Sequence, residues 1–194
     1  FLRFNCESDL TMQEETIAEE CKNGNKTAME ELYRSYAPVL FVVALRYLGE
    51  RELAEDILHD SFIKIFSSLD KFRWRGKGSL KAWMCKLTAN VSIQYLRERK
   101  LALTDLNEAK YYSEEDPPNA ESLSSVPNDV LLKFIGRLPV GYRTVFNLYV
   151  FENLSHKEIA QKLGINERSS SSQLARAKSS LAKMVNDYLQ MQNR

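Results

Sequence analysis

Apolar residues between Leu53 and Leu69 recur with the period of an α-helix. Leu53, Ile57, Leu58, Phe62, Ile65, Phe66 and Leu69 make one stripe, and Glu52, Glu55, Asp56, Asp60, Lys64 and Ser67 fall away from it. Such a segment must bury one side of a rod and leave a carboxylate-rich side in water. The charge then inverts. Between Lys71 and Lys100 lie Lys71, Arg73, Arg75, Lys77, Lys81, Lys86, Arg97, Arg99 and Lys100, against one acid, Glu98. A negative surface followed by a positive one suits two different partners.

The helical period extends through most of the chain. Glu14 to Lys22 reads as a first helix, ended by the turn Asn23-Gly24-Asn25. Thr27 to Leu48 reads as a second, striped by Ala28, Leu32, Tyr36, Leu40, Val43 and Tyr47, with Pro38 expected to kink or split it and Gly49 to close it. The third spans about 51–70. Phe72-Arg-Trp-Arg-Gly-Lys-Gly78 follows as a loop, because its apolar-basic alternation and two glycines suit neither period. Ser79 is the expected cap of a basic helix to about Lys100, with Leu80, Trp83, Met84, Leu87, Val91, Tyr95 and Leu96 inward. No strand pattern and no repeat appears.

From Leu101 the period fails. Asp105, Glu108, Glu114, Glu115, Asp116 and Glu121, with Pro117, Pro118 and several serines, mark an acidic linker over 101–127. The expected architecture is therefore all-α: a helical domain over 12–100, the linker, and a second helical domain over 128–194. Residues 1–11 read as an upstream extension, with Met12 a candidate start.

Composition narrows the classes. Hydrophobic and charged fractions of 44% and 27% are those of an ordinary globular chain, and the net charge of +1 conceals its segregation. Cys6, Cys21 and Cys85 show no metal-ligand spacing, and Cys21 and Cys85 read as small buried thiols. No apolar run approaches the ~20 residues that cross a bilayer. The two histidines, His59 and His156, sit far apart at expected exposed positions. No nucleophile elbow, phosphate loop or metal motif accompanies them, so neither catalysis nor a cofactor is expected.

The second domain carries a sharper signal. Val130, Leu131, Phe134, Ile135 and Leu138 form its opening stripe, Pro139 ends it, and Tyr142 to Phe151 reads as the next helix. Ser155-His-Lys-Glu158 then spells a capping box. Gly164 makes a corner, Asn166 caps again, and a last helix runs from about Glu167 to Leu189, with Leu174, Ala177, Leu181, Met184 and Tyr188 inward. This is a helix-turn-helix pattern, whose second helix would enter the DNA major groove by its N-terminal end. That end carries Arg168, Ser171, Ser172, Gln173 and Arg176, all able to bond base edges or phosphates. Repressors, activators and initiation factors all use such a motif.

Taken together, these motifs resemble the extracytoplasmic-function sigma factors, the two-domain initiation factors of the sigma-70 family. The resemblance rests on Ala54-Glu-Asp-Ile-Leu-His-Asp-Ser-Phe62, Leu69-Asp-Lys-Phe-Arg73, Gly78-Ser-Leu-Lys-Ala-Trp83, Ala89-Asn90 and Tyr95-Leu-Arg97 in the first domain. Leu138-Pro139, Leu154-Ser-His-Lys-Glu-Ile-Ala160, Leu163-Gly-Ile165 and Arg176-Ala-Lys178 carry it in the second. It implies that Glu55, Asp56, His59 and Asp60 dock on the β′ coiled coil of core RNA polymerase, which also contributes β. It implies that Arg73, Trp74, Lys77, Lys86, Asn90 and Arg97 hold the promoter −10 element, where an extruded base is captured. Trp83, by contrast, fits the inner stripe. It implies that Arg168, Ser171, Ser172, Gln173, Arg176 and Lys178 meet the −35 element. The linker would thread toward the polymerase's active-site cleft, and an anti-sigma factor would hold the chain in check in the cytoplasm. One departure stands out: Arg168 replaces a usual glycine, Ser169–Ser170 a β-branched pair, and Ser171 a common basic residue. The rival reading is a helix-turn-helix regulator that is not a polymerase subunit. Such a protein should carry a receiver sheet or ligand pocket upstream, where this chain offers helices.

Overall fold

The computed structural model describes residues 14–99 and 126–192. The expected extension 1–11, Met12, Cys6 and the acidic linker up to residue 125 lie outside them. The described residues form helices α1 (Glu14–Lys22), α2 (Lys26–Leu48), α3 (Arg51–Phe66) and α4 (Ser79–Glu98), then α5 (Asn128–Arg137), α6 (Val140–Val150), α7 (His156–Leu163) and α8 (Glu167–Gln192). No strand occurs among them, so the all-α expectation holds there. The chain divides into two compact units after Tyr95, inside α4 rather than in the linker.

In the first unit, α2 begins where the Asn25 side chain accepts from the Thr27 and Ala28 amides at 3.0 and 3.3 Å. Of the two outcomes expected at Pro38, a kink or a split, the split does not occur: the helix runs unbroken past it. Leu32 and Tyr36 before the proline, and Leu40, Val43 and Tyr47 after it, are all buried, so packing on both sides outweighs the missing amide. Gly49 ends the helix at a φ of +78°, a conformation that costs glycine little. α3 packs on α2. Its inner side includes the small residues Ala54 and Ser61, both fully buried; the Ser61 hydroxyl donates to the Ile57 carbonyl at 2.6 Å. α3 also stops at Phe66, short of the expected 70. A 3-10 turn at Leu69–Lys71 then turns Leu69 and Phe72 into the core with Ile17, Leu32, Leu40, Ile65, Leu80 and Met84. Cys21 lies in that core, where burial and then Glu20 and Glu31 push its thiol up to about 11; Cys85 is half-buried.

The second unit packs α6 and α8 together, with α5 and α7 against α8. Pro139 sits at the cap of α6, which therefore starts two residues before the expected Tyr142. Leu138, Val145, Leu148, Ile159, Leu174, Ala177 and Val185 form the apolar interior.

Candidate functional site

Most of the residues singled out by the sequence lie on three exposed surfaces. The first is the outer side of α3. Glu52, Glu55, Asp56, His59 and Asp60 are all exposed, because Ala54, Ile57, Leu58, Ser61 and Phe62 take the inner side. Two features escaped the sequence reading. Ile63 continues this row and is 69% exposed, an apolar residue where the helical period offers no burial. Arg51 forms an ion pair with Glu55 at 2.9 Å while its guanidinium sits 5.5 Å from the Phe41 ring centroid. Both partners are solvated, so that pair contributes little stability. Among the described residues, Asp56 and Asp60 form no ion pair of this kind.

The second surface is the loop 72–78 and the outer side of α4. Phe72 is buried against Trp83, with ring centroids 5.3 Å apart, and Trp74 packs half-buried on the same core. Arg73, Arg75 and Lys77 are exposed. The alternation that suited no regular element thus works as an anchor: aromatics inward, cations outward. Trp74 is partly used in packing, as is Trp83. The far end of the loop is held by Glu14, whose Oε2 accepts the Gly78 amide at 2.6 Å and whose Oε1 accepts the Tyr36 hydroxyl at 2.9 Å. Burial and this hydrogen bond raise the Tyr36 pKa far above that of an ordinary phenol. Ser79 is not the cap expected; it is the first residue of α4, and its Oγ accepts the Arg75 amide at 3.3 Å. Gly78 takes the cap position, where φ is +84°. Along α4, Lys86, Asn90 and Arg97 are exposed one and two turns apart, on one side of the helix. The buried side is Leu80, Met84, Thr88, Ala89, Ser92, Ile93 and Leu96, rotated from the expected stripe because Thr88 and Ser92 are inward. The Ser92 hydroxyl satisfies itself on the Thr88 carbonyl at 2.9 Å.

The third surface is the helix-turn-helix of α7 and α8. The capping box is complete: the Glu158 amide donates to Ser155 Oγ at 3.3 Å and the Ser155 amide to Glu158 Oε2 at 2.8 Å. Gly164 takes a φ of +70° at the corner, and Asn166 Oδ1 accepts the Ser169 amide at 2.6 Å. Arg168, Ser171, Ser172 and Lys178 are exposed on α8. Gln173 is not: at 6% exposure it belongs to the inner side, and its Oε1 accepts no hydrogen bond. Gln173 was expected on the outer side of the helix; two positions after exposed Ser171, the helix has already turned inward. Arg176 is half-buried and donates to the Tyr142 hydroxyl at 3.3 Å, bracing α8 on α6. The serine run keeps its helix. Ser172 bonds back to the Ser169 carbonyl at 3.1 Å, and fully buried Ser170 bonds the His156 ring at 3.0 Å. His156 is consequently half-buried rather than exposed, while His59 is exposed as expected.

Comparison with known proteins matches both described parts of the chain to family profiles. The profile of Sigma-70 region 2 matches residues 32–101, and that of Sigma-70, region 4 matches residues 128–181. The chain is 23% identical to ECF RNA polymerase sigma factor SigM of Bacillus subtilis over 81% of its length and 95% of SigM. It is 28% identical to RNA polymerase sigma factor YlaC of the same organism, over 82% of its length and 92% of YlaC. Among solved structures, that of CnrH in complex with the cytosolic domain of CnrY aligns with a TM-score of 0.46 at 20% identity, over 89% of this chain and 96% of that one.

Proposed function

The chain belongs to the sigma-70 family as an extracytoplasmic-function sigma factor, and from that premise we propose that its three exposed surfaces divide the work of transcription initiation. The protein directs core RNA polymerase to promoters and assists their melting; sigma factors are non-catalytic subunits. A helix-turn-helix regulator acting apart from the polymerase is not favoured, since region 2 precedes region 4 in the same chain.

In this reading 12–100 is the region that grips polymerase and the −10 element, 128–194 reads the −35 element, and 101–127 is an acidic tether between them. Asp56, His59 and Asp60, with Glu55 partly engaged by Arg51, dock on the β′ coiled coil, for carboxylates on a rigid helix suit a basic partner. Arg73, Lys77, Lys86, Asn90 and Arg97 hold the melted −10 strand, with Trp74 lending its half-exposed ring to a base. Arg168, Ser171, Ser172 and Lys178 meet the −35 duplex, Arg176 from a braced position. An anti-sigma factor would compete for the α3 surface in the cytoplasm, where polymerase and chromosome meet. The observation that carries the reading is a carboxylate surface and two cationic surfaces, each exposed on a separate helical element.

Run-off transcription with purified core polymerase on a panel of promoters from the same genome tests it. Discrete starts that need the added chain are expected. Failure to direct initiation at any promoter with sigma-free polymerase from its own host would contradict the function.

A further inference from the structure

One imidazole touches all three helices that build the DNA-reading end. His156 is the first residue of α7. Its ring stacks on Tyr149 of α6, with centroids 5.0 Å apart and planes 23° from parallel. Its Nδ1 lies 3.0 Å from the Oγ of Ser170, on the fourth residue of α8. Ser170 is fully buried, although its neighbours Ser171 and Ser172 are exposed. The Tyr149 ring also carries the Lys178 ammonium 5.6 Å from its centroid.

This arrangement stands where the family pattern has a β-branched pair in place of Ser169–Ser170. A buried aliphatic residue fixes a helix by shape alone. A buried serine leaves space and a polar group that must be satisfied. The imidazole supplies the polar partner while its ring packs on Tyr149. The bond survives either state of the ring, since Ser170 donates to a neutral Nδ1 or accepts from a protonated one. Its direction matters more than its strength. Ser170 immediately precedes Ser171 and Ser172, so holding its side chain fixes the rotation of the first α8 turn about its axis. The Tyr149 stack fixes the ring, and the same Tyr149 sets where Lys178 stands.

We propose that His156 is a positioning residue for promoter recognition: acting through Ser170 and Tyr149, it sets the rotation of the α8 N-terminal turns and hence which −35 bases they prefer. This rests on the reading of α8 as the −35 helix. A small error in such placement is costly, because base-edge hydrogen bonds are short and directional.

The test uses reconstituted holoenzyme on a promoter library randomised across the −35 segment, read by sequencing the transcripts. His156→Phe keeps a ring for Tyr149 and loses the bond to Ser170. It is expected to shift or flatten base preference at the −35 positions by about tenfold. His156→Asn presents an amide near the place of Nδ1 and should recover at least part of the preference. Ser170→Ala should resemble His156→Phe, and combining the two should add less than about twofold, as for partners in one interaction. Thermal unfolding of each full-length variant is followed in parallel. A merely structural role predicts uniform weakening that tracks the unfolding temperature, with His156→Asn no better than His156→Phe. That result, or an unchanged preference in both His156→Phe and Ser170→Ala, overturns the proposal. Should His156→Phe fail to fold, Ser170→Ala decides alone. If the unmodified chain enriches no −35 sequence, the −35 reading itself fails and takes this proposal with it; enrichment that the variants leave unchanged removes the proposal only.

Discussion

The loop at residues 72–78 and the turn at Gly164 both present polar side chains to solvent, yet they are held by opposite means. The turn is held by its neighbours in sequence: Ser155 and Glu158 cap each other, Gly164 supplies a positive φ, and Asn166 caps the next helix. The loop is held from far away. Phe72 sinks into the core, and Glu14 reaches Gly78 across 64 positions. Local caps confer order that a segment carries with it. A remote carboxylate makes the loop's order depend on the whole first unit being folded.

The largest expected effect lies in the loop's charge. Replacing Arg73, Arg75 and Lys77 together by alanine should lower the salt dependence of single-stranded −10 binding by holoenzyme, by about 2 in the log–log slope for three phosphate contacts. An unchanged slope would mean that the exposed cations do not meet the strand. Next comes the remote anchor. Glu14→Ala orphans the Tyr36 hydroxyl and the Gly78 amide, and should destabilise the first unit by about 2 kcal/mol in urea titrations. Ser155→Ala, which removes a local cap, should cost about 1 kcal/mol in the second unit. If the order is reversed, the contrast between remote and local support is wrong. The smallest change should be favourable. Gln173→Met replaces a buried amide whose Oε1 is unsatisfied, and should stabilise by about 1 kcal/mol without lowering −35-dependent transcription. A loss of −35 recognition would restore Gln173 to the DNA surface.

The same contrast explains what could be read from the chain. Among the described residues, helix number and order, the capping box, Gly49 and Gly164, and the carboxylate row of α3 all follow from patterns within a few residues. Those patterns also place most of the candidate surface, including Lys86, Asn90, Arg168 and Ser172 on exposed sides. What stayed hidden depends on distant partners. No spacing rule ties Glu14 to Gly78. Thr88 and Ser92 are polar, yet both turn inward and rotate the buried side of α4: the Ser92 hydroxyl is satisfied on the Thr88 carbonyl, while the Thr88 hydroxyl has no partner among the described residues. Ser170 looked like part of a weak helix start until its partner, His156, appeared across the turn. Gln173 went the other way, because its chemistry suited bases while its helical phase faced the core. Pro38 was outweighed by packing on either side.

The account depends most on the claim that the α3 carboxylates form the surface that holds polymerase. Titrating fluorescently labelled chain with core enzyme measures it directly, comparing the unmodified protein with the Asp56→Lys/Asp60→Lys double variant. Both side chains are exposed, so helicity by circular dichroism should not change. The prediction is a loss of core affinity of at least about a hundredfold, as expected when two attractive charge pairs become repulsive. A folded variant that binds core as tightly as the parent would contradict it.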